Sequence, residues 1–163
     1  MTGPGHIIRG LWIASAIHSP TGALSAGMDT ITCLASEPDA FRFLTIVVAA
    51  GELRPGSLLV ACTDQDAQPG TIVAVDEVPV DPPQHSRVRA LGQLLELVAA
   101  SGHAGGLLAV SRLGECRVQG GDLAWHDAFE ATSHGVGLVC HGTYLVTPAG
   151  MCRVRPRPLT VAA

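Results

Sequence analysis

At 163 residues the chain is long enough for one domain with a real core and too short for two ordinary ones. Apolar residues make up 47% of it, so burial can offset chain entropy without disulfides, and a formal net charge of −4 excludes a wholesale basic nucleic-acid binder. The cysteines, Cys33, Cys62, Cys116, Cys140 and Cys152, lack CxxC spacing and are odd in number, which argues against a zinc knuckle, a redox motif or a secreted disulfide framework and for a reducing, cytoplasmic setting.

All 10 basic residues are arginine, and asparagine is absent, a bias of GC-rich coding that weakens any single alanine or arginine as a signal. The apolar run Leu11 to Ile17 is too short to cross a bilayer and lacks the flanks of a signal peptide, so no membrane role is expected. It predicts a short strand. Ser19-Pro20-Thr21-Gly22 predicts a turn, and 30–34 reads as loop or marginal strand. Glu37-Pro38-Asp39 opens a helix: proline suits its first turn and acids suit its dipole. Phe41, Leu44, Val47 and Val48 follow at helical spacing, with a strand over 43–49 as the competing reading.

Ser57 to Cys62 and Thr71 to Val78 predict a hairpin of buried strands, joined by a polar stretch from Asp64 to Gly70 that ends in the turn signal Pro69-Gly70. Pro79, Pro82 and Pro83 mark a connector. Val88, Leu91, Leu94, Leu95 and Val98 form one apolar stripe, a helix stopped by Ser101-Gly102. Leu107 to Val110 is the next strand, so strand, helix and strand suggest a right-handed parallel crossover. Asp122 is a natural N-cap for a helix running to about His134 and stopping at Gly135. Two short strands, 136–140 and 143–146, precede an extended Arg/Pro tail. The domain is bounded at 37–152, between an irregular extension over 1–36 and a tail over 153–163.

Chemistry concentrates between Gly105 and Gly142. Asp122, His126, Glu130 and His134 recur every four residues along one helix, drifting by roughly forty degrees per step, so neighbours face each other without forming one cluster. Two of them with a third ligand would suit a metal; a solvated polar face is the plain alternative. Cys140 and His141 adjoin, but strand neighbours point to opposite faces, so a buried inert cysteine is the simpler reading. Gly114, Gly120 and Gly121 bracket the loop before the helix. That loop has neither the phosphate-loop lysine nor GxGxxG spacing, and Asp122 would repel an anion. Arg153, Arg155 and Arg157 are candidates for a nucleic-acid contact or a solvated tail.

The order SLLVACTDQDAQPGTIVAVDEV, the 88–100 helix, LLAVSRLGE and then GGDLAWHDAFEATSHGVGLVCHGTYLVTPAG resembles the RadC-like branch of the JAB/MPN domain. In that family a hairpin precedes a helix, a strand runs into an HxHPSG metal loop, an SxxD opens the next helix, and a strand pair follows. The resemblance covers roughly 53–152. It implies a single three-layer α/β domain with a mixed sheet flanked by helices, JAB/MPN-like (cytidine deaminase-like). It also places Val110 and Arg112 where the two metal histidines would stand. Asp122 matches the metal aspartate only with a shortened loop, Gln119 replaces the serine, and Gly56, Ser57 and the more distant Glu52 leave the water-activating acid without a counterpart.

Zinc hydrolysis needs three protein ligands and a base, and at most one ligand survives. The expectation is therefore a metal-free JAB/RadC-like binding or scaffold module without a cofactor, serving a protein partner or a second copy of itself. Its cleft would be formed by Ser111, Arg112, Asp122 and His126, with Arg112 and Asp122 paired in place of a metal. Two alternatives stand beside it. One is a metal-dependent hydrolase with an atypical ligand set drawn from Asp122, His126, His134, Cys116 or His141. The other is a DNA-associated accessory protein using the tail arginines.

Overall fold

The computed structural model describes residues 31–156 and the backbone of 15–18. Residues 11–14 of the first predicted strand, the predicted 19–22 turn and Arg157 lie outside them. The elements in chain order are β1 (Ser15–His18), α1 (Glu37–Ala49), β2 (Leu58–Thr63), β3 (Pro69–Val75), α2 (Gln84–Ala100), β4 (Gly105–Ser111), α3 (Gly120–Gly135), β5 (Val139–Thr147) and β6 (Gly150–Val154).

The strands form one mixed sheet in the order β1-β3-β2-β4-β5-β6. Only β4 and β5 run parallel as neighbours; every other pair is antiparallel. The crossover predicted through α2 therefore links two strands of the same direction that are not neighbours, because β2 lies between β3 and β4. The direct parallel unit is β4-α3-β5, and the carboxyl ends of its two strands and its helix start lie at the same end of the sheet.

Alternation along the strands explains the layers. Leu59, Ala61, Leu107, Ala109, Tyr144 and Val146 face α1, packing on Phe43, Leu44 and Val47. Leu58, Val60, Leu108 and Val110 face the other way, onto Leu91, Leu95 and Val98 of α2 and Trp125, Ala128 and Phe129 of α3. The molecule is thus a single α/β domain with one helix on one face and two on the other. Among the described residues no helix is long and apolar enough to cross a membrane.

Several boundaries differ from the sequence reading. The hairpin turn is shorter than the predicted 64–70 stretch, because Pro69 and Gly70 belong to β3. Asp64 makes the turn, its Oδ1 accepting the amides of Asp66 and Gln68 at 2.9 Å each, the side-chain turn that aspartate favours. Asp122 is not the N-cap; Gln119 is, and Asp122 stands at the third helical position. Gly135 is still helical, and the left-handed residue that ends α3 is Gly137, at φ 76°. The strands predicted over 136–140 and 143–146 are one strand, β5, and Arg153 belongs to a further strand, β6, in place of a tail. At the other end, β1 pairs with β3, and Ile31 and Leu34 join the core, so the sheet and core reach back into 1–36.

Candidate functional site

A cleft of about 430 Å³ opens where β4 ends and α3 begins. The start of β2 supplies Gly56, Ser57 and Leu58, the proline-rich connector supplies Val78, Pro79 and Val80, and α3 supplies Gly121, Asp122 and Trp125. Val110, Ser111 and Arg112 form the β4 side. Ligand clefts of α/β sheets are commonly found beyond the carboxyl ends of their parallel strands, and this size is usual for them.

Arg112 organises one wall. Its Nε donates to Asp122 Oδ1 at 3.0 Å and its Nη2 to Oδ2 at 2.9 Å, a two-pronged pair. The Asp122 side chain is 3% exposed and that of Arg112 is 23% exposed. The carboxylate also accepts the Gln119 amide at 2.8 Å, one of the orphan donors of the helix start, and negative charge there suits the helix dipole. The remaining guanidinium donors reach the carbonyls of Leu113, Glu115 and Arg117 at 3.1, 3.4 and 2.8 Å, so the 113–117 loop wraps round the cation. The hydrogen bond to Asp122 raises the Arg112 pKa further above its already high value. The site holds a permanent cation.

The β2 side of the cleft, next to Ser111, carries a pair the sequence reading missed. Ser57, buried, donates its Oγ to Asp76 Oδ1 at 2.7 Å. The two residues meet across the β2–β3 pair, a register that turn placement alone did not define. Arg87 was missed too. It is buried behind Trp125, 5.4 Å from the ring centroid, with Asp81 at 2.9 Å and Gln84 at 3.2 Å. The signal for it was its position four residues before Leu91 and eight before Leu95, on the buried stripe of α2.

His126 does not join this cleft. Its Nδ1 lies 2.9 Å from Thr143 Oγ1 and its Nε2 3.5 Å from Glu130. It lines a separate depression with Glu130, Gly142, Arg153 and Arg155. The cause is helical rotation: four residues past Asp122 the side chain has turned from the β4 end toward β5. His134 is exposed, and His141 Nε2 sits 3.0 Å from Thr63 Oγ1, burial lowering its pKa. Burial also pushes the Cys140 thiol up. Among the described residues no three His, Cys, Asp or Glu side chains are gathered to hold a metal ion. The atypical ligand set is not brought together.

The chain matches no family model, no curated protein and no solved structure.

Two of the tail arginines are tied to the domain, and Arg157 lies outside the described residues. Arg153 and Arg155 both hold Glu37 of α1, Arg153 at 3.4 Å, and Arg153 also lies over the Tyr144 ring.

Proposed function

We propose that the chain is a non-catalytic binding module of the metal-free JAB/RadC-like kind, receiving an apolar anchor of a protein partner in the β4–α3 cleft. The observation that carries this reading is the Arg112–Asp122 pair. On the resemblance, a metal would stand between the side chains of positions 110, 112 and 122. Alternation puts Val110 and Arg112 on one face of the β4 end, and the Arg112 guanidinium engages both oxygens of Asp122. Valine has no donor atom and a guanidinium is a fixed cation, so this set does not fit zinc. The element order of α1, hairpin, α2, β4, loop, α3 and strand pair supports the scaffold assignment.

The cleft's surroundings favour a macromolecular partner. Val80 is 100% exposed and Leu113 is 71% exposed, and both line the cleft. Large apolar side chains bordering a partly apolar recess match the anchor-and-rim arrangement of protein interfaces. The polar groups nearby are already bonded, Ser57 to Asp76 and Asp122 to Arg112. An apolar anchor would enter without stripping unsatisfied charge of its water.

Elemental analysis tests the reading. Purified, dialysed protein is expected to hold zinc well below one equivalent, and stoichiometric zinc would overturn it. The double replacement Val110→His with Arg112→His, leaving Asp122 in place, is expected to gain one zinc per chain. A variant that stays folded by circular dichroism yet binds none would overturn the assignment of these positions.

A further inference from the structure

Cys116 and Cys152 are 36 positions apart in sequence and come from different elements, yet their side chains are neighbours, close enough for one thiol to act on the other. Cys116 lies in the loop that Arg112 gathers through the Glu115 and Arg117 carbonyls. Cys152 lies in β6, opposite Leu145 of β5. A second geometric observation agrees: a side-chain carbon built on Gly150 would lie 3.8 Å from both Cβ and Sγ of Cys116. Gly150 and Cys152 share a face of β6 by alternation, so Cys116 sits over that face. Both cysteines are partly exposed, and the charge of Arg112 bears on the Cys152 thiol. Cys62, by contrast, is buried.

We propose that Cys116 and Cys152 are an oxidisable dithiol that a hydroperoxide converts to a disulfide, fastening the 113–117 loop to β6. The inference does not depend on what the cleft binds. Burial, the Cys116 contact and the nearby Asp122 charge push the Cys152 thiol up to about 11; Cys116, in a loop outside the sheet, is assigned as the sulfur that meets the oxidant. The Cys116 thiolate attacks one peroxide oxygen. The O–O bond breaks, an alkoxide or hydroxide leaves and takes up a proton, and Cys116 becomes a sulfenic acid. Cys152 sulfur then attacks the sulfenic sulfur. The S–S bond forms, the S–O bond breaks, and hydroxide departs with the Cys152 proton as water. In sum two thiols and one hydroperoxide give one disulfide, one alcohol (or water) and one water. The sulfurs lose two electrons and the O–O bond gains them. Leu113 and Gly114 at the start of the tethered loop line the cleft, so the bond fixes one wall of it.

The test uses the full reduced chain and one equivalent of hydrogen peroxide, followed by alkylation, trypsin and mass spectrometry. The expected product is fragment 113–117 joined to fragment 118–153 through Cys152, with Cys140 alkylated and the intact mass lower by two hydrogens. A Cys116 sulfinic acid without that joined fragment, or a link from Cys116 to Cys140, overturns the proposal. Cys152→Ser is expected to stop at a Cys116 sulfenic acid that dimedone traps. No dimedone adduct on Cys116 in that variant would overturn the order of steps. Cys33→Ser and Cys140→Ser are expected to keep the link, and its loss in either would overturn the pairing.

Discussion

Two ionic clusters in this chain both set arginine against a carboxylate and come out with opposite weights. At the cleft, Arg112 and Asp122 are joined by two hydrogen bonds, the carboxylate is 3% exposed, and three backbone carbonyls hold the guanidinium. At the β6 edge, Arg153 and Arg155 share one oxygen of Glu37, which is 34% exposed, with Arg155 66% exposed. Removing a partner at the first site strands a buried charge. At the second site water replaces what is lost. Burial and the count of second bonds, rather than the presence of an ion pair, decide which arginine holds the structure.

The largest expected effect is therefore at the cleft. Arg112→Ala and Asp122→Ala should each destabilise the fold by about 3 kcal/mol, since breaking one side of a buried pair costs that order. The double variant should cost clearly less than the sum. Additivity in urea denaturation to within about 0.5 kcal/mol would show that the two do not act as one unit and would erase the contrast.

His141 is an intermediate case. Burial lowers its pKa from the ordinary 6.5, and it is fitted against Thr63 over Gly105, where an added side-chain carbon would lie 2.7 Å from the ring and 2.8 Å from the Val139 carbonyl. The folded state takes up this proton at a lower pH than the unfolded chain, which takes it up below 6.5. Its contribution is complete above that pH and is lost as the pH falls from there through the lower folded value. His141→Gln should flatten the stability-against-pH curve on the acid side. An unchanged slope would remove the burial argument.

The smallest effect belongs to the edge. Glu37→Gln should cost less than about 1 kcal/mol, and that cost should shrink in molar salt. A salt-independent loss as large as at the cleft would make the two clusters equivalent.

What was legible follows from which signals are local. The 84–100 helix showed in the Leu91, Leu95, Val98 stripe, and the hairpin in two apolar runs separated by a polar turn. The Arg112–Asp122 pairing was legible because a strand, a short loop and a helix start force those positions together. His126 was grouped with that cleft because spacing by four suggests one face, and the drift per step was given too little weight. The Ser57–Asp76 and Cys116–Cys152 contacts depend on hairpin register. For the second, the alternating arginines and prolines after Pro148 hid β6 by reading as tail, although Ala149-Gly150 marks its turn.

One consequence of the sheet order concerns β4. Its neighbours β2 and β5 satisfy both of its edges, and helices cover both faces, every residue from Gly105 to Ser111 being buried. Its amides should be among the last to exchange with deuterated solvent, opening only with the whole fold. The 113–117 loop and the 76–83 connector lie outside the strands and helices and should exchange early. The cleft then has one wall that stays still on the timescale of binding and two segments that give way, so a visitor is admitted by the loops and held in register by the strand.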